Sequence, residues 1–158
     1  MAIVFDEPLR NFRFLIDFES ESGTKIAAAF TQFSGIKMQV EYADVRDGSN
    51  LRGVVDGVPA LTSFENVQLT KGVIGEHEFF DWILAAAPGA INHPTGEDLS
   101  RTINIVALDD KGKRAITWSL YDAVPVSYQL SPMDSVQNAV LTETVEFSIN
   151  GFTRETHE

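Results

Sequence analysis

Apolar and polar residues alternate with a period of two through most of this chain. That rhythm commits a sequence to strands with one buried face. Phe12, Phe14, Ile16 and Phe18 alternate with Arg13, Leu15 and Asp17. Lys25 to Phe30 is a second short candidate, and Ile36, Met38, Val40 and Tyr42 alternate with Lys37, Gln39, Glu41 and Ala43. Strand character returns over Phe64–Thr70, Thr102–Leu108, Ala115–Tyr121 and about Ala139 to Ile149. Pro125, between Val124 and Val126, predicts an edge or a bulge, because proline has no donor for a ladder. Asp109-Asp110-Lys111-Gly112 supplies a turn, Asn150-Gly151 ends the last strand, and Arg154 to Glu158 reads as a polar tail.

Two stretches break the rhythm. From Arg46 to Glu65, Asp47-Gly48, Asp56-Gly57 and Pro59 predict a long hairpin tip or a mobile loop. After Gly75, the residues Phe79, Trp82, Ile83 and Ala86 recur at helical spacing, behind an acidic first turn of Glu76 and Glu78. Pro88-Gly89 stops that helix, and a polar loop through Asn92-His93-Pro94 follows. The expectation is a mostly β sandwich or barrel of about seven or eight strands with one flanking helix. Residues 1–158 are expected to form one unit with its core at about 11–152, and its edge strands must be closed, covered or paired.

Charge and motif content narrow the function. With 23 acidic and 12 basic residues, the chain carries a formal charge of -11. Phosphate association needs clustered Lys and Arg, so a reader or wrapper of nucleic acid is disfavoured. There is no cysteine, hence no disulfide framework and no thiolate chemistry. No run approaches the roughly 20 apolar residues of a membrane helix. Met1 to Arg10 has no secretory pattern, so no membrane anchor and a cytoplasmic site of synthesis are expected. No nucleophile elbow and no phosphate-cradling glycine loop is present. His77 and Asp81 are spaced for one helix face, but two ligands do not make a metal site. His93 and His157 are expected to be solvated. The pairs Glu143 with Glu146 and Asp109 with Asp110 read as features of an acidic surface and a turn. Trp82 and Trp118 read as core. No catalytic residue, metal or cofactor is expected.

The order of these segments resembles the tail tube proteins of contractile phages and phage-tail-like injection systems. The likeness is carried by Asn11-Phe12-Arg13-Phe14, Phe33-Ser34-Gly35-Ile36, and Glu41-Tyr42 followed by Arg46-Asp47-Gly48 and Asn50. It continues in Val67-Gln68-Leu69-Thr70-Lys71-Gly72-Val73, Phe80-Asp81-Trp82-Ile83, and Arg101 with Ile103 and Ile105. Trp118, Asp122 to Tyr128, and Glu143 to Gly151 complete it. Gly57-Val58-Pro59-Ala60 stands where the family usually has Lys-Leu-Pro-Gly, and the Pro88–Ser100 loop is long.

The resemblance implies a structural subunit of the inner tube. Copies would form hexameric rings whose sheets join into one barrel, and the rings would stack inside a contractile sheath. Implied partners are further copies, the sheath protein, baseplate and tube-initiator proteins, and DNA or protein cargo passing without specific binding. Assembly would take place in the producing cell's cytoplasm, ending in a virion tail or a released particle. Arg46, Asp47, Gly48, Ser49 and Asn50 fall where the family's contact loop lies. Lys37, Gln39 and Glu41, with Thr142, Thr144 and Glu146, are candidates to face the bore. The alternatives are a secreted ring protein of type VI secretion, distinguished by free rings in solution, and a small β-barrel binding module or enzyme.

Overall fold

The computed structural model describes residues 8–19, 25–28, 30–45, 56–73, 78–87 and 100–157. In chain order its elements are β1 (Phe14–Glu19), β2 (Lys25–Ala28), β3 (Phe30–Phe33), β4 (Met38–Val45), β5 (Asp56–Phe64), β6 (Val67–Gly72), α1 (Glu78–Ala85), β7 (Arg101–Leu108), β8 (Arg114–Leu130), β9 (Thr142–Ser148) and β10 (Gly151–Thr156). Eight strands share one hydrogen-bonded sheet, ordered β2-β1-β7-β8-β9-β6-β3 with β10 also on β8, while β4 and β5 form a separate ladder. All pairings are antiparallel.

The 17-residue β8 turns one sheet into two layers. Its first half pairs with β7 and β10, and its second half, Val124–Leu130, pairs with β9. Between the halves Asp122 adopts φ 54°, a left-handed conformation that Asp tolerates better than most residues, and a register shift follows at Pro125/Ser127. At the opposite edge the chain passes from β2 in one layer to β3 in the other. The facing sides carry the core: Ile16, Phe18, Ile103, Ile105 and Leu120 from one layer, and Val67, Leu69, Val145 and Phe147 from the other. Helix α1 adds Trp82, whose ring stacks on Phe147 at 5.1 Å and meets Phe18 at 5.9 Å. The Arg101 guanidinium lies 5.2 Å from the same indole, a cation–π arrangement.

Several expectations are corrected. The layers do not close into a barrel within one chain. Among the described residues β3 and the second half of β8 each have one strand neighbour in the second layer, and β10 has one in the first. Part of the Arg46–Glu65 stretch is strand, since β5 pairs along all of β4, with Pro59 taken up at a register shift opposite Tyr42. The polar residues after Asn150 are not a tail. Gly151–Thr156 runs as β10 along β8, from Gly151↔Tyr121 to Thr156↔Ile116. Backbone pairing makes that strand, and pairing leaves no hydrophobic signature on an exposed edge. His157 is not simply solvated: its main-chain N donates to Ala115 O at 2.8 Å, and its Nε2 lies 2.6 Å from Thr117 Oγ1. The last core strand begins at Thr142 and not near Ala139.

Candidate assembly interface

The second layer, β8–β9–β6–β3, has two faces of opposite chemistry. Register pairs put Val67 with Phe147 and Leu69 with Val145 on the core side. The alternate residues form an outer face. On β6 these are Gln68 and Thr70, and on β9 they are Thr142, Thr144 and Glu146. β8 contributes Ser127 and Gln129, and β3 contributes Gln32 opposite Thr70. The Thr70 and Thr144 hydroxyls are 3.0 Å apart, and Asn66 Nδ2 donates to Glu146 Oε1 at 2.8 Å. At the β3 end Ser34 Oγ accepts from Gln68 N at 2.8 Å, and Gly35 turns the chain away at φ +93°, a conformation that favours glycine. This face is hydroxyl and amide with one carboxylate and no cation, so it offers phosphate nothing to pair with.

Thr142, Thr144 and Glu146 therefore share one face, as their spacing predicts. Lys37, Gln39 and Glu41 are not on it. Gln39 and Glu41 belong to the separate β4–β5 ladder, and Lys37, just before β4, pairs with Glu65 at 2.9 Å. Arg46, Asp47, Gly48, Ser49 and Asn50 lie outside the described residues, as do His77 and His93. Sequence reasoning missed Gln32, Gln68, Thr70, Ser127 and Gln129 as members of the polar face. Alternation in Val67-Gln68-Leu69-Thr70 carried the signal for two of them; for the rest, knowing which strands are neighbours was required.

Both lateral borders of this layer are strand edges. The β8 border presents Val126, Tyr128 and Leu130, each exposed. An edge with unpaired backbone groups and apolar side chains is a template for another strand. The Tyr128 ring meets Phe80 of α1 edge-on at 5.6 Å. Its phenol pKa is raised by burial, and further by the charge of Glu143 and the hydrogen bond to it.

Several of the described residues weighed for chemistry have structural partners. Asp109 Oδ1 accepts from Lys111 N and Lys113 N, both at 2.9 Å, closing the β7–β8 turn. Glu143 and Glu146 are three apart on β9 and point to opposite faces. Trp118 is half-buried against the core cluster. Among the described residues no three His, Cys, Asp or Glu gather as a metal site, and no helix is long and apolar enough to cross a membrane.

Solved structures with a similar fold include chains of contractile injection systems. A chain of the anti-feeding prophage baseplate, in a six-fold symmetrised cryo-EM structure, superposes with a TM-score of 0.79 at 20% identity, covering 96% of this chain and 98% of that one. A chain of the PVC sheath–tube complex, an extracellular contractile injection system in its extended state, gives 0.75 at 22% identity, covering 96% and 94%. Hcp1 from Flavobacterium johnsoniae gives 0.52 at 15% identity, covering 92% and 97%. No curated protein sequence matches. The family model described as T4-like virus tail tube protein gp19 matches residues 10–153, and with nearly its whole length inside that match the chain belongs to this tail tube family, whose members are structural tube subunits.

Proposed function

We propose that copies of this chain join laterally into a hexameric ring, the β3 edge of one pairing with the β8 edge of the next, and that rings stack into a hollow tube. The observation that carries this reading is the second layer: a strand border on each side and a polar face between them. Lateral pairing satisfies both borders, as closure demands of any sheet. The face bearing Gln68, Thr70, Thr144 and Glu146 then lines the bore. A surface of hydroxyls, amides and one carboxylate lets DNA or acidic protein cargo slide past without adhering. Helix α1, packed against the core side of that layer through Trp82 and Phe80, lies away from the bore, where a sheath would meet the tube. Lys37, Gln39 and Glu41 are withdrawn from the bore by this arrangement, and Arg46 to Asn50 remain the proposed contact between copies. The fold is nearer to the injection-system chains, at 0.79 and 0.75, than to Hcp1 at 0.52, which favours a tube over a free secreted ring.

Negative-stain electron microscopy of the purified protein, alone and with sheath and baseplate proteins from the same system, tests this. Rings or striated tubes are the expected result. A strictly monomeric particle in every mixture contradicts it. Gly48→Val is expected to leave the monomer folded by circular dichroism while impairing assembly; tubes of normal abundance would remove Arg46–Asn50 from the interface.

A further inference from the structure

Two surface features of the chain complement each other in chemistry. Beyond Leu130 lies the Ser131–Leu141 loop, an ordered projection. Ser131 N donates to Thr142 O at 2.9 Å, Asp134 Oδ1 accepts from Val136 N at 2.9 Å, and Val73 N donates to Leu141 O at 3.0 Å. This well-bonded loop turns Met133, Val136 and Val140 outward, at 71%, 90% and 80% exposure. Its only charged residue is Asp134. A loop so held, with three aliphatic side chains in water, bears the mark of a contact surface.

Elsewhere, beside the start of β1 and the end of β3, a cleft of about 660 Å³ opens, lined by apolar Phe14, Phe33, Ile36 and Trp118 and by polar Thr31 and Gln32. Arg10 and Arg13 stand in its lining, and among the described residues no acidic one does, although the chain has 23 acidic residues to 12 basic ones. Arg13 reaches Asp109 O at 3.3 Å and Asp110 Oδ1 at 3.5 Å on one side. A hollow with an aromatic and aliphatic part and basic residues in its wall suits an apolar knob that carries one carboxylate, which is what the loop offers.

We infer that the Ser131–Leu141 loop of one copy seats Met133, Val136 and Val140 in the Phe14–Phe33–Ile36–Trp118 cleft of a second copy in the next ring, with Asp134 toward Arg10. The inference rests on the tube reading and supplies its axial contact. Knob and cleft are different surfaces with no residue in common, so the contact is heterologous and repeats without closing on a pair. Repeated around a ring, a contact weak in one copy becomes strong in sum.

Because the chain has no cysteine, cross-linking reads this contact directly. In the double variant Val136→Cys/Ile36→Cys, oxidation of assembled tubes is expected to give a ladder of disulfide-linked multimers on a non-reducing denaturing gel. Each single variant gives no ladder. Tubes that form without the ladder overturn the inference and leave the tube reading standing. Failure of the unsubstituted chain to stack under any condition overturns both. Val136→Asp guards against a double variant that does not fold: rings should persist while the concentration needed for tubes rises at least about tenfold. Unchanged stacking in Val136→Asp contradicts the contact. So does an intrachain link between Ile3→Cys and Ile36→Cys in the monomer, which would give the cleft to the chain's own N-terminal segment.

Discussion

Trp82 ties three parts of the molecule together, since its indole is 2% exposed and touches Phe18 of one layer, Phe147 of the other and the Arg101 guanidinium. Truncating it to alanine removes an aromatic filler that the surrounding strands cannot collapse to replace. Trp82→Ala should cost about 3–5 kcal/mol in urea unfolding of the monomer. A loss below about 1 kcal/mol would mean that the helix does not pin the layers. Tyr128 makes a different point. Burial, then the nearby Glu143, disfavour its phenolate and raise its pKa above 10.0. A raised value means the folded state holds this proton more tightly than the unfolded chain does. The resulting stabilisation is complete below the ordinary tyrosine value and is lost as pH rises through the folded-state value. In an ultraviolet titration of phenolate absorbance, Tyr128→Phe should remove a component that titrates above the ordinary range. A curve that loses only an ordinary component would contradict that environment.

Elements with a buried face were legible in the sequence, and elements made by pairing were not. Val67-Gln68-Leu69-Thr70 and Phe14 to Phe18 alternate because one side meets the core, so their strands and their orientation could be read directly. Helix α1 announced itself through Trp82 and Ile83, both buried. In contrast, β10 is held by the ladder from Gly151 to Thr156 along β8 and carries mostly exposed polar residues, so no periodicity marked it. The same blindness touched the interface. Thr142, Thr144 and Glu146 could be grouped from their own spacing, whereas excluding Lys37, Gln39 and Glu41 from that group required knowing that, among the described residues, β4 pairs only with β5. At this scale the β8 border carries the prediction. Val126 is 52% exposed beside the bulge, and lysine is the residue by which natural edge strands avoid unwanted pairing. Val126→Lys should change monomer stability by less than about 0.5 kcal/mol yet block ring closure, as read by sedimentation. Rings of undiminished stability would exclude the β8 border from lateral contact.

At the scale of the whole molecule, the proposed reading makes one chain an incomplete object. Its core side is satisfied by Trp82 and the facing layers, but among the described residues the β3 and β8 borders each lack a second strand neighbour and the apolar knob is exposed. On the proposed reading such surfaces are completed by further copies of the chain, in keeping with membership of the tail tube family. On that reading the net charge of -11 opposes association of copies, so assembly should be favoured by salt that screens like charges. The central claim is that the β8–β9–β6–β3 layer forms the wall of the bore. A cryo-EM reconstruction of assembled tubes tests it most directly. The account predicts a continuous wall in which β3 of one copy pairs with β8 of the next and Gln68, Thr70, Thr144 and Glu146 point inward. A bore lined by the β1–β7–β8–β10 layer, or by the β4–β5 ladder, would contradict it.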